Sequence, residues 1–235
     1  MLRAAHDVLA LPPQRPAIYK QATVDKVIQS AMTVASRRFD FPKATPRGEV
    51  EGFKILRAEA LRVLAWAPTP SMGTDRPALV LARVAASDQS VNPPPRVEEL
   101  VESSIGLCRL IAASGKSADF NADYAAQQVA RAISAIGIEA NKNIEVKSPT
   151  LRLRPWKVDG ARLLEAIELI QSNKDPYITE MVKQTRPLLL DLEAGRVTQA
   201  ANLGTWANGD TKPAGNSLYK GGEPSEVKPR SVSDE

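Results

Sequence analysis

Residues 49–66 read EVEGFKILRAEALRVLAW, and this stretch decides the fold class. Its apolar side chains recur at intervals of three and four residues, which is the period of a helix that buries one face. The apolar stripe comprises Phe53, Leu56, Ala60, Leu61 and Leu64, with Arg57, Glu59 and Arg62 off it. The stretch therefore predicts an amphipathic helix.

The same periodicity recurs between the prolines that divide the rest of the chain. It predicts further helices at residues 23–37, 75–86, 96–113, 121–140, 158–171 and 176–194. Pro187 should kink or divide the last of them, because proline has no backbone N–H to donate inside a helix. We expect an all-α fold, built either as stacked helical hairpins or as an irregular helical bundle.

Two regions depart from the helical pattern. Residues 144–154 alternate apolar and charged side chains, which predicts a small β-hairpin or an extended excursion between helices. Six of the 13 glycines fall in the last 41 residues, a composition typical of a disordered tail. The expected organisation is a flexible N-terminal segment at residues 1–21, a helical-repeat-like domain at 22–194 and a disordered tail at 195–235.

The composition and charge of the chain limit the classes of protein to which it can belong. The chain has 235 residues, and its net charge of +4 is the small difference between 31 basic and 27 acidic residues. No run approaches the roughly 18 consecutive apolar residues that span a bilayer, so no membrane span is expected. The single cysteine, Cys108, rules out an internal disulfide and suits a reducing compartment, and we expect a cytoplasmic location.

The residue types needed for common catalytic sites are scarce. The only histidine is His6, and Cys108 lies on the apolar stripe of a predicted helix, so we expect it to be a core residue. The run SGKS at 114–117 ends like a phosphate-binding loop but has Leu110 where the motif needs its first glycine. The carboxylate pairs Glu99/Glu102 and Glu165/Glu168 are expected to be solvated. No catalytic, cofactor or metal residue is predicted, and we expect a non-enzyme without a cofactor.

Two runs in the chain share a pattern. Residues 56–65 read LRAEALRVLA and residues 129–137 read VARAISAIG, and their starts are 73 residues apart, or two periods of about 36 to 37 residues. Each resembles the second helix of a HEAT-type repeat, in which an aliphatic-arginine pair precedes small and leucine positions. The resemblance covers residues 49–140. It implies a HEAT-like or armadillo-like stack whose exposed face binds a partner, and it implies no particular reaction.

The best local candidate for a contact surface is the cluster Arg152, Arg154, Trp156 and Lys157, which combines basic side chains with an aromatic ring. It suits an acidic protein partner or a nucleic-acid backbone. In the alternative arrangement, Trp156 packs under the next helix and the charges stay in water. The expected function is non-enzymatic protein binding or scaffolding, with nucleic-acid association at residues 152–157 as the alternative.

Overall fold

The computed structural model describes residues 21–40, 42, 45–72, 76–114, 118–145, 156–209 and 212–221. Within these residues the chain forms eight helices and no strand, and an isolated antiparallel bridge pairs Phe120 with Tyr219. The helices are α1 (Gln21–Ser36), α2 (Arg47–Leu64), α3 (Pro77–Ala85), α4 (Val97–Ala113), α5 (Ala122–Glu145), α6 (Trp156–Glu168), α7 (Pro176–Ala194) and α8 (Ala200–Asn208). The all-α prediction is confirmed.

Contacts between the helices define two layers. In one layer α4 lies between α2 and α6, and in the other α1, α3, α5 and α7 pack in that order. Arg62 contacts Glu102 and Trp66 contacts Arg109, so α2 and α4 run in the same direction. Helix α8 covers α5. No helix in the described part of the chain is long and apolar enough to cross a membrane.

Helix α4 is the centre of the core. It contacts α2, α3, α5 and α6, and twelve of its 17 residues are buried. Two of these, Ser103 and Ser104, satisfy their hydroxyl groups by donating to the Leu100 carbonyl oxygen at 3.0 and 2.7 Å. Internal bonds of this kind let a helix with polar positions lie inside a core.

Helix α7 is continuous through Pro187, so of the two expected effects of this proline, a kink or a division, the division does not occur. The helix has a defined start, because Asp175 Oδ1 accepts the N–H groups of Tyr177 and Ile178. It ends at Gly195, whose φ of 72° is the left-handed conformation that glycine adopts easily. Leu188 and neighbouring apolar residues are buried after the proline, and this packing offsets the one missing backbone bond.

The bounds predicted for the excursion and for the tail need correction, and residues 222–235 of the predicted tail lie outside the described residues. Helix α5 extends to Glu145, so the start of the predicted hairpin is helical, and residues 146–155 lie outside the described residues. Where the tail was predicted from residue 195, the structure has α8 and a packed segment at residues 212–221. The reason is burial: Leu203, Ala207, Leu218 and Tyr219 are all less than 5% exposed.

Candidate binding surface

The structure describes half of the predicted basic cluster. Arg152 and Arg154 lie outside the described residues. Trp156 opens α6 and is 8% exposed, which is the arrangement given above as the alternative, whereas Lys157 is exposed. The Lys157 side chain lies against the end of α7: a Cβ built on Gly195 would stand 3.0 Å from Lys157 Cε. Binding by this cluster stays a prediction.

A second charged group lies across the layer of α2, α4 and α6. We call it the charged face and define it by Glu59, Arg62, Glu102, Arg109, Arg162 and Glu165. Ile55, Glu59 and Arg62 of α2 and Trp66, two residues past its end, have the spacing i, i+4, i+7 and i+11. Val158, Arg162 and Glu165 of α6 and Leu169, one residue past its end, repeat this spacing. This spacing places each set along one side of its helix.

Glu102 joins the three helices. Its carboxylate is buried and accepts bonds from Arg62 Nη2 at 2.7 Å and from Arg162 Nη2 at 2.9 Å to each oxygen. Arg62 also donates to Glu59 at 2.8 Å. Desolvation lowers the pKa of Arg62, but its hydrogen bond to Glu102 and the charges of both glutamates raise it above its usual value overall. The expectation that Glu102 is solvated is wrong.

A second ion pair lies within the core. Arg57 and Glu99 are both fully buried, and Arg57 Nε donates to Glu99. Arg57 Nη2 donates to the Pro93 carbonyl oxygen at 2.7 Å, and Glu99 accepts the Arg96 N–H at 2.6 Å, which caps α4. Buried ions need such additional bonds to offset their desolvation.

The sequence reasoning placed Leu56 in the core and Arg57 and Glu99 outside it, and all three placements are wrong. Leu56 is 47% exposed. A signal was present: Phe53, Arg57, Leu61 and Leu64 also follow a helical stripe, so an arginine at a core position required an acid on another helix.

Arg109 differs from the other arginines of the charged face. Its guanidinium carbon lies 3.8 Å from the centroid of the Trp66 ring, a cation–π contact. Among the described residues it makes no hydrogen bond or ion pair with an acid. Desolvation, followed by the nearby charge of Arg162, lowers the pKa of Arg109. Its N–H donors are therefore not bound by any acceptor in the part of the chain that the structure describes.

Exposed apolar side chains border the charged face. Ile55 of α2 is 58% exposed, Val158 of α6 is 54% exposed, and Leu169, directly after α6, is 50% exposed. They continue the same two helix stripes that carry Arg62 and Arg162. A surface that combines arginine, tryptophan and exposed aliphatic residues has the composition of a protein–protein interface core.

The described residues offer little reactive chemistry. Cys108 is buried in α4, as predicted, and desolvation raises the pKa of its thiol to about 12. A neutral buried thiol is a poor nucleophile. In the described ranges, no three His, Cys, Asp or Glu side chains stand together as a metal site would require.

No protein family, curated protein or solved structure with which the chain was compared is similar to it. The fold and the surface therefore define a class only: an all-helical, two-layered protein with a charged and partly apolar face.

Proposed function

We propose that this chain is a non-enzymatic protein-binding or scaffolding module that acts through the charged face. The main support for the proposal is the environment of Arg109. This residue stacks on Trp66 and has no acidic partner among the described residues, and apolar side chains are exposed on the two helices beside it. Arginine and tryptophan dominate binding energy in many protein interfaces because each combines apolar area with hydrogen-bond donors.

The arrangement of the helices supports a stacked-hairpin reading of the fold. Helices α2 and α4 run in the same direction and lie side by side in the α2–α4–α6 layer, as neighbouring repeats do in modules of the HEAT and armadillo type. In such stacks each hairpin buries its apolar stripe against its neighbours, which leaves one side of a layer available for a partner. We propose a cytoplasmic location on the basis of the cysteine usage.

The experiment is a differential pull-down from the source cell. The bait with Ile55→Asp, Arg109→Glu and Leu169→Asp is compared with the unmodified bait and with a control bait carrying Arg186→Glu and Leu190→Asp on α7, where both residues are also exposed. We expect a partner that is lost with the first variant and kept with the second, and that rebinds as a purified protein. Equal recovery with all baits, or a catalytic turnover that survives rigorous purification, would contradict the proposal.

The alternative function is nucleic-acid association through residues 152–157. What supports it is the exposed Lys157 next to two arginines in the sequence, together with the net charge of +4. Binding of this kind weakens steeply with salt, because each contacted phosphate releases counterions. Joint replacement of Arg152, Arg154 and Lys157 by glutamine should then abolish retention on a polyanion column at low salt. Unchanged retention would rule out this site.

A further inference from the structure

We propose that Arg109 and Trp66 bind a carboxylate side chain of an acidic, partly apolar peptide segment in the partner. This inference rests on the proposed function and specifies the chemistry of the partner. The indole ring would be the floor of the site, and the guanidinium of Arg109 would be the anchor for the carboxylate. A planar guanidinium with available donors matches the two oxygens of a carboxylate.

Arg109 is the one arginine of the charged face that no carboxylate of the face contacts. Glu102 already engages Arg62 and Arg162, and Glu59 engages Arg62, so these two carboxylates are in direct contact with two of the three arginines. Glu165 attracts Arg109 at a distance but makes no ion pair with it. Arg109 is thus the cation of the face that a partner's acid can reach without displacing an existing bond.

The same charges select a carboxylate over a nucleic-acid backbone. A polyanion gains affinity by pairing several available cations at once. Here Arg62 and Arg162 are held by Glu102, and the carboxylates of Glu59, Glu102 and Glu165 would repel a densely charged chain. A side chain with a single negative charge is repelled less than a polyanion, because only one charge approaches these carboxylates.

The apolar borders specify what flanks the acid. Val158 on α6, Leu169 directly after it and Ile55 on α2 are each at least half exposed. Burying one such side chain fully contributes about as much to the binding free energy as a charge-assisted hydrogen bond does. We therefore expect the partner segment to carry aliphatic or aromatic residues near its Asp or Glu.

The test uses a display library of random dodecapeptides, selected on the full chain, followed by fluorescence anisotropy with the selected peptides. We expect enrichment of Asp or Glu beside apolar residues. Arg109→Gln should weaken binding by about tenfold or more, and replacement of the peptide acid by its amide should weaken it similarly, whereas both changes together should add little. The matched control Arg186→Gln, an exposed arginine on α7, should leave the dissociation constant unchanged.

A structural role of Arg109 is tested separately. Thermal unfolding of Arg109→Gln shows whether the variant is folded, and selection on Arg109→Glu should enrich Lys and Arg where the unmodified chain enriches acids. Selected peptides without acidic residues, binding that ignores Arg109, or a selection that yields no peptide would each overturn this inference. The proposed function would still stand or fall on the pull-down, in which a partner lost with the face variant supports it whatever the peptide result.

Discussion

At the residue scale, the buried Arg57–Glu99 pair carries the largest predicted effect. Arg57→Met leaves the Glu99 carboxylate buried without its cation, and we expect a loss of about 3–5 kcal/mol in the free energy of unfolding. Adding Glu99→Gln should restore part of this loss, because the amide is neutral and its oxygen still accepts the Arg96 N–H. Urea unfolding followed by circular dichroism measures both variants.

The control for this buried pair is an exposed ion pair on α7. Lys183 and Glu180 on α7 form an i,i+3 pair with the lysine 76% exposed, so Lys183→Met should leave stability within experimental error. If Arg57→Met cost no more than Lys183→Met, the buried pair would contribute nothing to stability. If the double variant were less stable than Arg57→Met alone, the residual buried charge would not be the cause of the loss.

The buried thiol of Cys108 leads to a prediction about how the stability of the protein depends on pH. Desolvation raises the pKa of the thiol from 9.0 to about 12, so between these values the unfolded chain loses its proton and the folded chain keeps it. Stability from this group is therefore complete below pH 9 and is lost as the pH rises towards 12. Thiol reagents at pH 8 should label Cys108 only in denaturant, and Cys108→Ala should flatten the fall in urea midpoint between pH 9 and 11. Rapid labelling of the native protein would contradict the burial.

At the scale of elements, Gly160 sets the distance between α6 and α7. A Cβ at this position would stand 2.7 Å from the backbone nitrogen of Glu193, and backbone cannot turn aside as a side chain can. Gly160→Ala should cost about 1–3 kcal/mol through overpacking, despite the better helix propensity of alanine. Gly52→Ala is the matched control, because nothing lies within 4 Å of its Cβ position in α2, and it should stabilise by about 0.5–1 kcal/mol. If thermal denaturation showed that Gly160→Ala raises the stability as Gly52→Ala does, α6 and α7 would be free to move apart.

The helices could be predicted from the sequence because periodicity is a local property. Their partners could not, because the decisive contacts join residues far apart in the chain: Glu99 meets Arg57 across 42 residues, and Glu102 meets Arg162 across 60. A carboxylate at such a position has the same local sequence whether it faces water or an arginine on another helix. The charged face was missed for this reason, although its arginines and glutamates all lie within predicted helices.

At the scale of the whole molecule, a long-range contact orders residues 212–221, which their composition assigned to a disordered tail. Residues 212–221 are rich in small and polar types, yet the Tyr219 hydroxyl donates to the Pro70 carbonyl oxygen at 2.9 Å and its ring meets Phe120 at 6.2 Å. Backbone bonds from Asn121 to Leu218 and from Lys220 to Asp119 fix the segment against the start of α5. The segment thus connects the region before α3 with the region before α5.

This connection predicts a difference between two truncations. A chain ending at residue 221 keeps every described contact of the segment, whereas a chain ending at 209 exposes the apolar surface that Leu218 and Tyr219 cover. The shorter chain should lose about 3 kcal/mol or more, which corresponds to about 6–12 °C in melting temperature for a protein of this size. Tyr219→Phe in the full chain separates the two contributions, because it keeps the ring and removes the hydroxyl that donates to Pro70. We expect a cost of about 0.5–1.5 kcal/mol for this bond, since the Pro70 carbonyl oxygen still accepts the Ala78 N–H at 3.5 Å. Equal melting temperatures for the two truncations would mean that the segment lies on the core without stabilising it; a large loss with Tyr219→Phe alone would place most of the effect in the hydroxyl group and not in the covered apolar surface.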